Sequence, residues 1–339
     1  MARNPLLIDL ALQGGGSHGA FTWGVLDRLL EEPWLRIAGI SGTSAGAMNA
    51  AVLAHGWTKG GAEGARSALE HYWQRISRAA AFSPLQRSPV DRIMGRWTLD
   101  TSPAYVFMDL MSRVLSPYAV NPFDLNPLRG ILAESVDCDR LAQSPIKLFV
   151  TATNVRTGRG RIFRNGEITT EVLLASAFLP TMFRAVEIDG DAYWDGGYTG
   201  NPTITPLVSE TDAHDSILVQ INPRERQDTP RTTADILNRL NEISFNSPLM
   251  KELRMIALLR QVVDPGTGEG ARWAQMRTHR IMTDMLAQFG ASSKLNAEWG
   301  FVTMLRAEGR RAASEFLDAN SNALGKRSTA DLDALLTEC

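Results

Sequence analysis

Cysteine is scarce in this chain. Its 339 residues include two cysteines, Cys138 and Cys339, which lie far apart in the sequence. Two distant cysteines cannot build the disulfide framework of a small secreted domain, and they cannot supply a paired-cysteine zinc site. The sequence therefore predicts a protein of a reducing compartment, with the cytoplasm as the expected location.

An excess of either charge is also absent. Lys and Arg total 35 and Asp and Glu total 37, so the formal net charge is -2. Nucleic-acid-binding domains usually carry a clear basic excess, so no nucleic-acid partner is expected. Apolar residues at 44% and charged residues at 21% are typical of a globular chain and exclude a disordered or fibrous one.

Long apolar runs are missing as well. The longest stretch without a formal charge, residues 37–58, is long enough to cross a bilayer, but small polar residues, Asn49 and His55 interrupt it. Near the amino terminus, Pro5 and Asp9 interrupt the apolar residues before they reach the length of a signal peptide. We therefore expect no export signal and no transmembrane segment, so any membrane contact would be peripheral.

The first part of the chain alternates between strand and helix patterns. A short apolar run at 6–12 ends at a glycine cluster, which is typical of a buried strand. Apolar residues at helical spacing follow at 20–30, a second strand fits 36–40, and a helix runs through Met48 and Val52. This order predicts a parallel α/β sheet with helices on its faces.

This regularity is lost in residues 80–130. The segment contains six of the 16 prolines together with many aromatic residues and methionines, from Phe82 to Phe123. It is too apolar for a flexible linker. Two interpretations stay open: a helical subdomain packed on the core, or a lid with an acyl-chain pocket.

Beyond this segment, further strands and helices are predicted. The strands fit 146–153, 161–163, 185–188, 192–194 and 217–221, and a helix fits 170–177. Residues 232–339 are expected to be mostly helical. Candidate core residues in that region are Ile236, Leu240, Ile243, Leu253, Ile256, Trp299, Phe301 and Leu305.

The first of three glycine-bearing turns, residues 14–19, joins the first strand to the first helix. Its glycines let backbone N–H groups point at an anion, and the following helix adds its positive end. Gly14, Gly16 and Gly19 also satisfy the GxGxxG dinucleotide fingerprint. That interpretation needs an acidic residue near the end of the second strand, and no carboxylate occurs between Arg36 and Thr58. A dinucleotide site therefore lacks its second anchor.

The second turn, Gly42-Thr43-Ser44-Ala45-Gly46, is a GxSxG sequence between a strand and a helix. In this context it is typical of a nucleophile elbow, which exposes a serine at the start of the helix. Ser44 is then the candidate nucleophile, although serine also favours a plain N-cap role. The first two turns of a parallel sheet lie at one edge, so glycine N–H groups and the Ser44 hydroxyl can converge there for acyl transfer.

A serine hydroxyl needs a base to accept its proton. The residue order of an α/β-hydrolase triad would require His214 or His279, and neither has a local signature. A His-dependent esterase therefore stays open as an alternative. The third turn, Asp195-Gly196-Gly197, is by itself an ordinary turn sequence.

Together and in this order, the three turns resemble those of the patatin-like phospholipases, including the bacterial members of that family. The segment 175–180, Ala-Ser-Ala-Phe-Leu-Pro, and Phe183 are also similar to the family's pattern. The resemblance covers roughly residues 6–206. By implication these residues are the catalytic core of a single domain, 1–339, with 80–130 as a lid-like insertion and 232–339 as a mostly helical C-terminal extension.

The resemblance implies a three-layer α/β/α sandwich with a mainly parallel central sheet, and hydrolysis of phospholipids or related acyl lipids by a Ser-Asp dyad. Ser44 would be the nucleophile and Asp195 the general base, without a metal or cofactor. The oxyanion loop would comprise Gly14, Gly15 and Gly16, and the glycines supporting the motifs would be Gly19, Gly42, Gly46, Gly196 and Gly197.

One position departs from the family's pattern. Many members have Arg or Lys where this chain has His18, so the chain would lack a permanent positive charge near the oxyanion site. This departure puts in doubt any pH dependence taken from relatives. A non-catalytic lipid-binding protein on the same fold is a further alternative.

Overall fold

A mostly parallel sheet organises the described part of the chain. The computed structural model describes residues 4–121, 124, 126–226, 228–262, 269–332 and 334–337. Phe123 and Cys339 therefore lie outside the described residues. The strands are β1 (Leu6–Leu12), β2 (Leu35–Gly42), β3 (Lys147–Asn154), β4 (Gly160–Arg164), β5 (Val186–Ile188), β6 (Asp191–Asp195), β7 (Asp215–Val219) and β8 (Arg277–Ile281).

The central strands run in the order β3-β2-β1-β7-β8, and all four pairings between them are parallel. Strands β4 and β6 both pair with β3 in antiparallel fashion, and β5 pairs antiparallel with β6. Because the parallel strands point the same way, the turns that follow β1 and β2 lie at the same carboxyl edge.

Helices cover both faces of this sheet. They are α1 (Gly19–Leu29), α2 (Ala45–Ala81), α3 (Pro89–Ile93), α4 (Pro103–Ser112), α5 (Pro117–Val120), α6 (Pro127–Ser135), α7 (Cys138–Ala142), α8 (Thr170–Ala175), α9 (Thr205–Glu210), α10 (Thr233–Val262), α11 (Glu269–Gln275), α12 (Trp299–Asn320) and α13 (Ala334–Thr337). Short 3-10 helices occupy Gly16–His18, Asn165–Glu167, Gly196–Tyr198, Asp284–Gln288 and Ala291–Leu295.

The alternation of side chains along β1 separates two apolar cores. Ile8, Leu10 and Leu12 pack in one core with residues of α1, α2 and α12. Ala11 points to the other face, where the second core contains residues of α9 and α10. The predicted three-layer α/β/α architecture is confirmed.

Prolines mark where four short helices within 80–130 begin. Pro89, Pro103, Pro117 and Pro127 each stand at the beginning of one of the helices α3 to α6. Proline is well tolerated there, because the first turn of a helix does not use its N–H groups. The helices are short, and α4 and α5 bury none of their residues, so these two helices are not part of the core.

One expectation for the C-terminal region was wrong, and one strand there was not predicted. Residues Ile236, Leu240 and Ile243, expected in the core, are exposed on α10, and Trp299 is 40% exposed. The region also contributes a strand, β8, which pairs with β7 at the edge of the sheet. The other core candidates, Leu253, Ile256, Phe301 and Leu305, are buried as predicted.

The charge-free stretch 37–58 forms the end of β2, a turn and the first half of α2. Among the described residues, we find no helix with both the length and the apolar character that a membrane span requires.

Candidate active site

Ser44 lies on a strained turn between β2 and α2. Its backbone angles are φ 54° and ψ -125°, in a region that residues with a side chain rarely adopt. Ser44 occupies the N-cap position of α2, yet its side chain makes no capping hydrogen bond. The hydroxyl is therefore not used in the plain capping role, and the geometry is that of a nucleophile elbow.

The glycine turn after β1 packs directly on this elbow. A Cβ atom added to Gly14 would lie 2.7 Å from both the Ser44 Cβ and the Thr43 carbonyl oxygen. Gly16 has a φ of 57°, and a Cβ there would lie 2.3 Å from the carbonyl oxygen of Lys294. Only glycine fits either position, and the close approach brings the two turns together at the carboxyl edge.

The N–H groups of the glycine turn are not equivalent. The N–H of Gly14 donates to Asn201 Oδ1 at 2.7 Å, so it is not free to bind an oxyanion. The N–H groups of Gly15 and Gly16 donate to no acceptor among the described residues. Two adjacent donors of the glycine turn therefore remain without an acceptor, rather than the expected three.

Asp195, the last residue of β6, completes the arrangement. Its side chain is 2% exposed, and its Oδ1 accepts the Gly197 N–H at 2.7 Å. Burial raises the pKa of Asp195 to about 7, although the Gly197 N–H, a hydrogen bond with the Ser44 side chain and the positive charge of Lys294 each lower it. A carboxyl with this pKa, beside a serine hydroxyl, can act as a base near neutral pH.

A single residue holds Ser44 and the third turn together. The Ser176 hydroxyl accepts the Ser44 N–H at 2.9 Å, and the Ser176 carbonyl accepts the Gly196 N–H at 3.2 Å. Ser176 lies in segment 175–180, which resembles the family's pattern, but that pattern predicted no role for it. Asn201, which holds Gly14, was missed, and nothing in its local sequence indicates the contact.

Residues beyond 206 also support the glycine turn. Gln13 Oε1 accepts the backbone N–H groups of Ile221 and Asn222 at 3.0 and 2.9 Å. The Asn222 side chain donates to the Gly14 carbonyl at 2.8 Å, and Gln13 Nε2 donates to Asn246 Oδ1 at 3.2 Å. The site therefore includes the segment that follows β7, and α10, as well as the core at 6–206.

Comparison with known proteins gives a family for this site. A family model described as patatin-like phospholipase matches residues 10–208, which is more than half of the chain and includes all three turns. The chain belongs to the patatin-like phospholipase family. Membership in this family implies a lipid acyl hydrolase.

Two solved structures also match this patatin-like chain. VipD from Legionella pneumophila is 15% identical with a TM-score of 0.37, over 90% of this chain and 67% of that chain. The heterodimeric complex ExoU-SpcU from the type III secretion system of Pseudomonas aeruginosa is 17% identical with a TM-score of 0.29, over 98% of this chain and 66% of that chain. The chain thus spans about two thirds of their length. No curated protein matches it significantly.

His18, the departure from the patatin-like pattern, is buried and neutral. Burial, together with the positive charges of Lys294 and Arg226, lowers the pKa of His18 to about 3. Its Nε2 lies 2.8 Å from the Ser293 hydroxyl, which itself donates to the Gly290 carbonyl. His18 Nε2 must therefore be the donor in that hydrogen bond, and the imidazole ring serves to pack the turn.

The two histidines considered for a triad lie elsewhere. His279 Nε2 contacts Asp215 Oδ1 at 3.0 Å, and Asp215 is the first residue of β7, directly after His214. His214 precedes β7, and the ring of His279, in the middle of β8, contacts Asp215 at the amino end of β7; β7 alone spans about 13 Å. Ser44 follows the carboxyl end of β2, so the structure does not form the alternative triad.

The remaining motif glycines lie at close contacts around the site. A Cβ atom at any of them would come within 3 Å of a neighbouring atom; they are Gly19, Gly42, Gly46, Gly196 and Gly197.

Within the part of the chain that the structure describes, no group of three His, Cys, Asp or Glu side chains is arranged to hold a metal ion.

Proposed function

We propose that this chain hydrolyses carboxylic esters of phospholipids or related acyl lipids through a Ser44–Asp195 dyad and an acyl-enzyme intermediate. The observation that carries the proposal is the juxtaposition of three groups. A serine on a strained elbow adjoins a buried carboxyl with a pKa of about 7, and the unpaired N–H groups of Gly15 and Gly16 lie in the turn packed against it.

In the first half of the reaction, the Ser44 hydroxyl attacks the ester carbonyl carbon while Asp195 accepts its proton. The N–H groups of Gly15 and Gly16 donate to the oxyanion of the tetrahedral intermediate; losing one such donor typically costs roughly 3 kcal/mol of transition-state stabilisation. Asp195 then protonates the departing alcohol. In the second half, Asp195 takes a proton from water, which attacks the acyl-enzyme, and then returns that proton to the Ser44 oxygen as the fatty acid is released.

The dyad is tested by turnover of p-nitrophenyl acyl esters and by labelling with a serine-reactive fluorophosphonate. We expect Ser44→Ala to abolish both, and Asp195→Asn to reduce both by several orders of magnitude. Ser67→Ala, at an exposed serine of α2, is the matched control and should behave as wild type. Turnover that survives unchanged in either dyad variant would refute the proposal, provided that circular dichroism shows both variants folded.

The lipid class is tested separately. Wild type is incubated with a panel of phospholipids, lysophospholipids and neutral lipids, and mass spectrometry identifies the products. Release of fatty acid from a lipid, absent in Ser44→Ala, would support an acyl hydrolase. Tight lipid binding with neither product nor an adduct at Ser44 would instead favour the non-catalytic alternative.

We further propose that the lid-like insertion makes peripheral contact with a lipid surface. Ser44 is 8% exposed, so a lipid needs access to a site that is nearly closed. The insertion presents large apolar side chains that are each more than half exposed, among them Phe82, Ile93, Met94, Phe107, Leu110 and Val114. It also reaches the catalytic edge, because the Tyr118 hydroxyl accepts the Ala185 N–H at 3.3 Å.

Flotation with phosphatidylcholine vesicles tests this contact. The triple variant Phe82→Ser, Ile93→Ser, Phe107→Ser should lose most vesicle binding while keeping turnover of a water-soluble ester. The control variant Leu258→Ser, Val262→Ser changes exposed apolar residues on α10 and should float as wild type does. Equal flotation of the triple variant and wild type would exclude the insertion as the contact surface.

A further inference from the structure

The 3-10 helix Ala291–Leu295 lies directly against the glycine turn, although it belongs to the C-terminal region. The Ser293 hydroxyl contacts His18, and the Lys294 carbonyl fills the space beside Gly16 where a Cβ would stand. On the same 3-10 helix, the Ser292 hydroxyl accepts the Leu99 N–H of the insertion at 3.0 Å. This short helix is therefore fixed on both sides and gives Lys294 a defined position.

The Lys294 side chain reaches the support of the oxyanion loop. Its Nζ donates to Asn222 Oδ1 at 2.8 Å. The amide of Asn222 in turn donates to the Gly14 carbonyl at 2.8 Å. Lys294 thus fixes which way the Asn222 amide points, since its oxygen accepts from Lys294 and its nitrogen holds the glycine turn.

The charges around Lys294 connect it to Asp195. Burial lowers the pKa of the Lys294 ammonium, and the neighbouring cation Arg226 lowers it further, whereas the carboxylates of Glu242 and Asp195 raise it. Arg226 and Glu242 are themselves paired at 2.5 Å, so of these two carboxylates Asp195 is the one without an arginine partner among the described residues. In the part of the chain that the structure describes, the Tyr198 phenol also faces Asp195, while His18 on the glycine turn is neutral.

We propose that Lys294 is a positioning residue for the acyl transfer proposed above, whose Nζ holds Asn222 against the glycine turn and whose charge faces the Asp195 carboxyl. The glycine turn has no charged side chain of its own, because Ser17 and a neutral His18 follow Gly16. The positive charge beside the catalytic edge therefore comes from a segment that lies outside residues 10–208, the range matched by the family model. This inference rests on the proposed function for its kinetic consequences only.

Three variants separate the two roles of Lys294. Lys294→Arg keeps the charge and a donor, Lys294→Gln keeps a donor without the charge, and Lys294→Met keeps neither. Lys326→Met, at an exposed lysine, is the matched control. The pKa of Asp195 is measured in each by 13C NMR of labelled aspartate carboxyls, with Asp195→Asn identifying the signal, and kcat/KM for a p-nitrophenyl ester is measured against pH.

We expect the Asp195 midpoint to rise by about half a unit or more in Lys294→Gln and Lys294→Met, because each loses a nearby positive charge. It should stay at the wild-type value in Lys294→Arg and Lys326→Met. On the alkaline plateau Asp195 is ionised in every variant, so a shifted Asp195 pKa no longer changes the rate. There, kcat/KM should fall about tenfold in Lys294→Met, and less in Lys294→Gln, because only the former loses the donor to Asn222.

An unchanged Asp195 midpoint in Lys294→Gln, or an equal rise in Lys294→Arg, would overturn the proposal. Lys294→Gln carries the test if Lys294→Met does not fold. The NMR measurement does not depend on activity. A wild type that hydrolyses no ester would therefore count against the proposed function alone, whereas an active wild type with an unmoved midpoint in the variants would count against Lys294 alone.

Discussion

Asp195 combines two properties that oppose each other. As a base it must lose its proton, yet burial disfavours the charged form and raises its pKa to about 7. If ionised Asp195 is the base, kcat/KM should fall about tenfold for each pH unit below about 7, because only the carboxylate can accept the Ser44 proton. The measurement is the pH profile of ester hydrolysis from pH 5 to 9. A profile that stays flat down to pH 5 would contradict this role.

The same burial makes Asp195 costly to the fold at high pH. Since folding raises its pKa from 3.8 to about 7, the folded state binds the proton more tightly than the unfolded chain. The stability that this tighter proton binding by Asp195 contributes is fully present below pH 4 and is lost as the pH rises through 7. Asp195→Asn should therefore be more stable than wild type at pH 8, by on the order of 2 kcal/mol.

Urea unfolding at pH 4 and pH 8 measures this difference. The gain from Asp195→Asn should be much larger at pH 8 than at pH 4, since wild-type Asp195 carries its proton at the lower pH. Asp318→Asn, at an exposed aspartate of α12, should show no such pH dependence. A gain of equal size at both pH values would show that the charge of Asp195 is not its cause.

Ser176 is a second residue whose effect can be separated from the chemistry. Ser176→Ala removes the acceptor of the Ser44 N–H and leaves that N–H without a partner, at a cost of about 1–3 kcal/mol. It should lower kcat about tenfold or more, since small displacements of a nucleophile are costly. Steady-state kinetics and urea unfolding check both effects, with the exposed Ser209→Ala as control. Wild-type kcat in Ser176→Ala would mean that the turn at Ser44 keeps its geometry without this hydrogen bond.

The sequence predicts the site only in part. Ser44 and Asp195 stand in recognisable glycine-bearing turns, and together these turns indicate a family. Ser176, Asn201 and Asn222 act through hydrogen bonds to backbone groups of distant turns. Such a contact depends on how the chain folds back and leaves no local pattern, so these residues could not have been assigned roles beforehand.

At the scale of elements, α1 and α12 are in unusually close contact. A Cβ added to Gly309 of α12 would lie 2.0 Å from the Phe21 carbonyl oxygen of α1, and one added to Gly24 would lie 2.0 Å from the Arg306 carbonyl. In most helices, Ala in place of Gly stabilises by roughly 0.5–1 kcal/mol. Here we expect the sign to reverse, and Gly309→Ala to destabilise by about 1–3 kcal/mol because the helices must separate.

Urea unfolding of two glycine variants tests this reversal. Gly130 lies within α6, and a Cβ there would meet no atom within 4 Å. Gly130→Ala should therefore stabilise the protein slightly, while Gly309→Ala weakens it. If both substitutions stabilise, the contact between α1 and α12 is looser than the structure has it.

The periodicity of apolar residues predicted most strands of the sheet. It failed for β8 and for the apolar stripe of α10. Strands β1, β2 and β7 are apolar runs with buried neighbours, so composition alone indicates them. Strand β8 was missed because Arg277 and His279 interrupt its apolar pattern; both contact Asp215 on β7. On α10 the stripe of Ile236, Leu240 and Ile243 has helical spacing, but the described residues leave it uncovered.

For the whole molecule, the family match ends before the sheet is complete. Residues 10–208 exclude β7, which pairs with β1 in the middle of the sheet, and β8 beyond it. They also exclude α12, which covers α1. A large part of the apolar surface of the core would be left in water without these elements. We therefore expect the chain to fold as a single domain.

Truncation after residue 231 tests this expectation. The shortened chain lacks α10, β8 and α12, so Phe21 and Trp23 of α1 lose part of their cover, and Gln13 loses its contact with Asn246. We expect it to show no cooperative unfolding in urea and no fluorophosphonate labelling. Co-expression with the separate fragment 232–339 should restore both, because the missing surfaces can be supplied by a second chain. A truncated chain that unfolds cooperatively and labels at Ser44 on its own would show that residues 232–339 form a dispensable unit.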